Sequence, residues 1–248
     1  MKSFSFAMSL ALAGSLMLVP AAADTTLIGS VASNTLPAFQ ELAAAYGRKH
    51  PGTTIHFVPA GSKTIITNLN RGLTSDFVVI SDAFIGQTQN LIDPEHVLVN
   101  RTVIVVSPAA KGKITKPEDL AAAGVRLGDG SPGEALQIFT EQTFANLDAK
   151  YGNGLAAKLK ANVSLHRIDD AQIAVALKSG KIDAAILLAA DAVDDGLESI
   201  ELGESAVKIV NDAAIVKGSD HIAEAKDFLA FVRSPEGAAI IRKHGHDT

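Results

Sequence analysis

The sequence predicts an α/β protein made of two doubly wound units, and three observations carry that expectation. Short apolar runs of strand length alternate with stretches of helical periodicity from Thr26 onward. Two of the runs, residues 77–80 and Ala184–Leu188, are apolar throughout, as in strands covered on both faces. The alternation pauses at the polar stretch Pro108-Ala-Ala-Lys-Gly-Lys113 and then resumes, which divides the pattern in two. Aromatic residues are only 5% of the chain and alanine is abundant, which suits helices packed closely on a sheet.

The first 23 residues stand apart from this pattern. Lys2 gives a positive start, residues 7–19 form an apolar run too short to span a bilayer, and Ala21-Ala-Ala23 fits a signal cleavage site, so a secretory signal cleaved after Ala23 is expected. Lys, Asp, Glu or Gly interrupts every later hydrophobic run, so no membrane helix is expected. With no cysteine, the chain has no disulfide framework, no thiolate chemistry and no anchoring cysteine after the signal, and a free periplasmic monomer is the expectation. A net charge of -5, no Trp and two Tyr argue against a basic, stacking nucleic-acid surface. Any anion site must therefore work locally, against the overall field.

The elements follow in order. After a strand at residues 26–29, the small residues 30–35 lead into a helix with Leu36, Phe39, Leu42, Ala43 and Tyr46 at helical spacing and Thr35 or Asn34 as cap. His50-Pro51-Gly52 ends it. Residues 55–58 read as a strand, 62–71 as a helix closed by Gly72, and 77–80 as a third strand. Residues 102–107 form another strand. Past the pause, Pro117 starts a helix with Glu118 and Asp119 in its first turn, 125–127 is a short strand, and 128–133 lead into a helix over 134–145. Residues 162–167 give a strand, Asp169 or Asp170 caps a helix over 171–179 that Gly180 ends, and Ala184–Leu188 follows as a buried strand. Short strands at 207–210 and 214–216 precede two final helices, Ile222–Val232 and 235–244, separated at Ser234-Pro235.

In doubly wound sheets ligands bind outside the carboxyl ends of the strands, so the functional residues are sought there. Ser33 follows the first strand and Ser62 the second. At each place the free N–H groups of a helix start, the positive end of the helix dipole and a hydroxyl can converge on a small oxyanion. The alternative is that both serines only cap their helices. Two further helix starts follow strands at 128–133 and 169–170. Enzyme signatures are absent: there is no G-x-S-x-G elbow, H-E-x-x-H pair or dinucleotide fingerprint, and Gly61-Ser-Lys-Thr64 resembles the end of a P-loop that lacks its first glycine. His244, His246 and Asp247 have metal-like spacing but read as a frayed tail. Asp82, Glu95, Asp129 and Asp183 read as solvated or capping carboxylates. Neither a metal nor a cofactor is expected.

Several of these stretches carry a resemblance. Ser30-Val-Ala-Ser-Asn-Thr35, Ala60-Gly-Ser-Lys-Thr64, Asp76-Phe-Val-Val-Ile-Ser-Asp82, Asn100-Arg-Thr-Val-Ile-Val-Val106, Gly128-Asp129 and the ending 225–245 resemble, in the same order, the periplasmic molybdate-binding proteins of ABC importers. The resemblance implies a type II periplasmic-binding-protein fold: two α/β lobes joined by two crossing strands, with the ligand in the cleft between them. The expected lobes are residues 24–107 plus 208–248, and residues 108–207. It also implies a small tetrahedral oxyanion, molybdate or tungstate, handed to a permease in the inner membrane without catalysis. Carried over residue by residue, the family's hydroxyl donors fall on Ser33 and Ser62, its amide donors near Gly133 and on Asp170, and its tyrosine hydroxyl on Leu188. Leucine cannot donate a hydrogen bond, and a carboxylate at Asp170 repels a dianion unless it turns away as a cap or the ligand carries a proton. Lys63, next to Ser62, either compensates with its charge or is a solvated surface lysine.

Three rival readings remain open on sequence. The same fold can bind a protonatable oxyanion or an organic anion, as Leu188, Asp170 and Lys63 suggest. A secreted hydrolase would need a base beside Ser33, Ser62 or Ser131, and His56 and His166 are the candidates. A metal carrier would use His244 and His246.

Overall fold

The computed structural model describes residues 24–132, 135–167 and 170–248; the expected signal, residues 1–23, lies outside them. Strand β1 (Thr25–Ala32) runs through a 3-10 turn (Ser33–Thr35) into helix α1 (Leu36–Lys49), then β2 (Thr53–Ala60), α2 (Ser62–Asn70), β3 (Phe77–Ser81) and the single turn α3 (Asp82–Ile85). A long strand, β4 (Leu91–Val106), leads to β5 (Leu127–Gly130), α4 (Ala135–Tyr151), α5 (Leu155–Ala161), β6 (Val163–Arg167), α6 (Asp170–Lys178), β7 (Ala184–Leu188), α7 (Ala189–Asp194) and β8 (Glu198–Glu201). Strand β9 (Lys208–Val216) and helices α8 (Ile222–Val232) and α9 (Pro235–Lys243) complete the order.

The strands form two groups with the same plan. In the first, β1 lies between β2 and β3 and is parallel to both, and β3 pairs with antiparallel β9. In the second, β5 lies between β6 and β7 and is parallel to both, and β7 pairs with antiparallel β4. The expectation of two separate sheets needs correction, because one hydrogen-bonded path runs through eight of the strands and β8 pairs with β4 beside it. Strand β4 serves both groups: residues up to Arg101 pair with β9, whereas Thr102 to Val106 pair with β7.

The amino-terminal part of β4 was not legible in the sequence. Pro94 cannot donate to a ladder, Asp93 has a φ of 51°, and the register with β9 shifts between Ile92 and Glu95 and again between His96 and Leu98. These irregularities erase the period of two. The stretches expected as two strands at 207–210 and 214–216 are one strand, β9, because Asn211 and Asp212 sit inside the ladder, paired with Ser81 and Ile80. The helix expected at Pro117 is a 3-10 turn, Pro117–Ala121. Helices α5 and α7 and strand β8 are too short to have left a periodic signal.

Burial explains the uniformly apolar strands. In β3, Phe77 and Val79 enter a core with Phe39, Leu42 and Phe228 from α1 and α8, while Val78 and Ile80 enter the opposite core with Ile65, Ile66 and Leu69 from α2. In β7, Ala184 and Ile186 face one core with Phe144 and Leu147 of α4, and Ala185 and Leu187 face another with Ile173 and Leu177 of α6. Each fully buried Val, Leu, Ile or Phe contributes about 1.5–3 kcal/mol to folding. A polar residue at any of these positions would forfeit that and strand an unpaired group.

Candidate functional site

The register of the parallel strands brings the sequence-predicted serines to one edge. Ala32 of β1 is paired with Ala60 of β2, so the 3-10 turn beginning at Ser33 and the helix beginning at Ser62 leave adjacent strands at the same level. Strand β3 ends beside them at Ser81. The chain goes to one side of β1 to make β2 and to the other to make β3, and the gap at that reversal is where doubly wound sheets bind ligands.

Neither serine caps a helix. The residue preceding the Ser33 turn is Ala32, the cap of α1 is Thr35, and no side chain accepts a capping bond at either place. Thr35 instead donates from Oγ1 to the carbonyl of Ala32 at 2.7 Å. Ser33 is exposed, and its hydroxyl bonds to no other described residue. Gly61 caps α2, so Ser62 occupies its first turn, where Oγ accepts the backbone N–H of Ser81 at 3.1 Å. That bond fixes α2 to the end of β3 and leaves the Ser62 proton available to donate. Lys63 is exposed, next to Ser62, with no ion pair among the described residues.

The corresponding edge of the second group is made by the ends of β5, β6 and β7. Gly133 lies outside the described residues. Asp170 opens α6, but its side chain also lies outside them. Leu188, which stands where the resemblance places a tyrosine, is 6% exposed and immediately precedes α7. Gly130 ends β5 where α4 comes close: a Cβ there would lie 2.5 Å from the amide nitrogen of Gln137, so no side chain fits between strand and helix. Ser131 donates its N–H to the carbonyl of Arg167 at 2.7 Å, tying the loops after β5 and β6.

Asp129 corrects the expectation of a solvated or capping carboxylate. It is 6% exposed, accepts the N–H of Gly130 at 2.7 Å, and has its pKa raised above the usual carboxylate range, chiefly by burial. Asp183 is held below that range by the guanidinium of Arg126, bonded at 2.8 and 3.0 Å, and Glu95 pairs with Arg233. Asp82 opens the short helix α3. The histidines named as bases do not serve the serines. His56 is in register with Ile28, several residues before the end of β1, and His166 Nδ1 lies 3.0 Å from the carbonyl oxygen of Gly130; no bond joins either to Ser33, Ser62 or Ser131.

The frayed tail is also corrected. Val99 and Asp247 exchange backbone hydrogen bonds of 2.9 and 2.8 Å, and Arg101 donates to the carbonyl of Gly245 at 3.1 Å. His244 bridges α7 and α1, with Nδ1 2.8 Å from Asp194 and Nε2 3.0 Å from Glu41. Lys243 also bonds Glu41 and, ahead of His244, holds its carboxyl below the usual range. No group of three metal-ligating side chains occurs among the described residues. Two hollows lie elsewhere on the first strand group, the first of them reaching toward the serine edge at Leu36 and Pro59. One of about 540 Å³ runs between α1 and the outer side of β2. The other, about 420 Å³, lies at the opposite end of β1 and β3 around Asp76, whose carboxylate is already taken by Ile28 N–H, the Ser219 hydroxyl and His221.

Two strand groups of one plan, crossed by β4 and β9 and presenting loops at the carboxyl ends of their parallel strands, make a type II periplasmic-binding-protein fold. Solved structures agree. The substrate-binding domain assigned to a molybdenum ABC transporter of Clostridium difficile superposes with a TM-score of 0.75 at 17% identity, covering 90% of this chain and 98% of that one. The periplasmic molybdate-binding protein of Azotobacter vinelandii gives 0.71 at 18% identity, covering 90% and 99%. PEB3 of Campylobacter jejuni with bound L-phospholactate gives 0.70 at 15% identity, covering 90% and 99%. No curated relative matches in sequence. The family model for bacterial extracellular solute-binding proteins matches residues 29–247, and the chain belongs to that family. No described helix is long and apolar enough to cross a membrane.

Proposed function

We propose that the protein captures a small tetrahedral oxyanion, molybdate or tungstate foremost, in the periplasm and delivers it as a monomer to the permease of an ABC importer. The observation that carries this reading is the pair of hydroxyls at one strand edge: among the described residues Ser33 has no partner and Ser62 is engaged only as an acceptor. Both keep a proton to donate to an anion, Ser62 having used only an acceptor lone pair, and neither side chain is turned back onto a helix terminus as a cap. The proposed lobes are residues 24–107 plus 208–248, and residues 108–207, with secretion by cleavage after Ala23. Backbone N–H groups near Gly133 and at Asp170 would face the serines across the cleft. Neutral dipoles of this kind hold an ion yet release it when the lobes part. No step of catalysis is involved.

Isothermal titration with molybdate, tungstate, sulfate and phosphate tests the reading. Saturable heat from molybdate or tungstate supports it, and no heat from any of the four removes oxyanion capture. One observation favours a second reading, an organic or protonated anion: Leu188 puts a buried apolar side chain where the molybdate-binding pattern has a donor. PEB3, similar in fold, holds L-phospholactate. Asp170→Asn separates the two, since it should leave or improve the binding of a fully ionised ligand and weaken that of one donating a proton to the carboxylate.

A further inference from the structure

The segment 244–247 enters the junction between the two strand groups. With Asp247 paired to Val99 and Gly245 bonded by Arg101, the antiparallel register places His246 beside Asn100 on β4. Gly245 permits this approach: its φ is +78°, and a Cβ there would lie 2.8 Å from the carbonyl oxygen of Ala189. His246 is thereby driven inside, 2% exposed, facing the backbone carbonyl of Asn34, the residue after Ser33. The ring lies close enough to the Asn34 carbonyl for that oxygen to favour its protonated form, but neither ring nitrogen completes a hydrogen bond of ordinary geometry, nor does Nδ2 of Asn100, itself 0% exposed, whose Oδ1 accepts from Arg101 N–H and, at 3.4 Å, from Ala190 N–H at the start of α7. The 3-10 turn of Ser33 packs on that same helix.

Two neighbouring buried polar side chains with unused groups are a poor choice for stability alone, since an apolar pair would fill the space without stranding donors. Burial also pushes the His246 imidazole down to about 4, so at neutral pH the ring is uncharged, with one N–H and one bare nitrogen. The titratable and charged groups on the elements packed around it are His244 and Asp247 on its own segment, Arg101 on β4, Glu41 on α1 and Asp194 on α7.

We propose that His246 is a positioning residue for the anion site: it buttresses the Ser33–Thr35 turn through Asn34 so that Ser33 presents its hydroxyl to the ligand. This rests on the proposed role of Ser33. The segment 244–247 thus couples the setting of α1 and α7 to ligand affinity, although none of its residues touches the ligand.

The test compares wild type, His246→Leu and His246→Gln as the purified full chain, by molybdate titration, thermal melting without ligand, and amide hydrogen exchange with pH titration of the Ser33–Thr35 amides. Expected is that His246→Leu melts within a few degrees of wild type, binds molybdate at least tenfold more weakly and exchanges faster at Ser33–Thr35, and that His246→Gln restores most of both. The turn amides of wild type should also shift between pH 6.5 and 4, and those of His246→Leu should not. Unchanged affinity or unchanged turn amides in His246→Leu overturns the proposal, as does a binding loss that merely follows a large drop in melting temperature and that Gln does not rescue. Should wild type bind none of the oxyanions, the proposed function fails by itself, and turn exchange and titration alone decide the role of His246.

Discussion

The two strand groups share a plan and differ in what they put at the same edge. The first has an aromatic core, with Phe39, Phe57, Phe77, Phe228 and Tyr46 in edge-on contact, and it ends its strands in hydroxyls. The second has an aliphatic core rich in alanine and offers at its edge a buried acid, Asp129, and the apolar Leu188. The difference teaches that a fold repeated within one chain fixes where a ligand can sit without fixing which chemistry receives it. By the resemblance, Ser33 and Ser62 at the first edge keep the donors of the molybdate-binding pattern, and Leu188 at the second departs from it. On the proposed reading, ligand choice turns on the second group.

The largest effect that can sharpen this comparison is on stability. Phe228→Ala should cost about 3–5 kcal/mol, because Phe228 is fully buried and its ring meets Phe39, Tyr46 and Phe77. Leu147→Ala in the second core should cost about 2–5 kcal/mol. Urea unfolding gives both numbers, and hydrogen exchange shows where protection is lost. Loss confined to the strand group carrying the substitution would establish the two as separate stability units, while equal loss in both would show that β4 couples them into one.

Next in size is pH. The folded value of His246, about 4, lies below its ordinary 6.5, so its contribution is nil above pH 6.5. As pH falls from 6.5 to about 4 the unfolded chain takes up a proton that the folded chain does not, and stability drops by up to about 3 kcal/mol. Asp129 acts with the opposite sign. Its folded value is raised above 3.8, so stability is lost as pH rises from 3.8 through the folded value, where only the unfolded chain has given up its proton. Urea melts in steps from pH 4 to 7 on wild type, His246→Leu and Asp129→Asn should show each slope vanish with its own residue.

The serines come third. Ser33→Ala and Ser62→Ala should each weaken oxyanion binding by about 1.5–3 kcal/mol, the worth of a hydrogen bond to a charged group. They should differ without ligand, since Ser62→Ala also strands the N–H of Ser81 and costs about 1 kcal/mol of stability, whereas Ser33→Ala costs almost none. Calorimetry and melting of both variants would break the comparison if affinity stayed unchanged. The smallest effect belongs to Lys63: Lys63→Ala should lower affinity about twofold at low salt and not at high salt, because an exposed charge acts through a screened field.

The sequence by itself determined the strands covered on both faces, the order of the main helices and the placing of Ser33 and Ser62 at strand ends. Those features rest on local patterns: an apolar run such as 77–80 or Ala184–Leu188, and a cap or breaker such as His50-Pro51-Gly52. Tertiary structure alone decided that β4 begins at Leu91 and joins both groups, that neither serine caps its helix, that Asp129 is buried, and that the segment carrying His244 and His246 is pinned to α1, α7 and β4. The reason is physical. Propensity and periodicity act over a few residues, but the burial of a side chain and the partner of its polar atoms come from whatever the fold brings near, as when Glu41 of α1 receives a histidine 203 residues away.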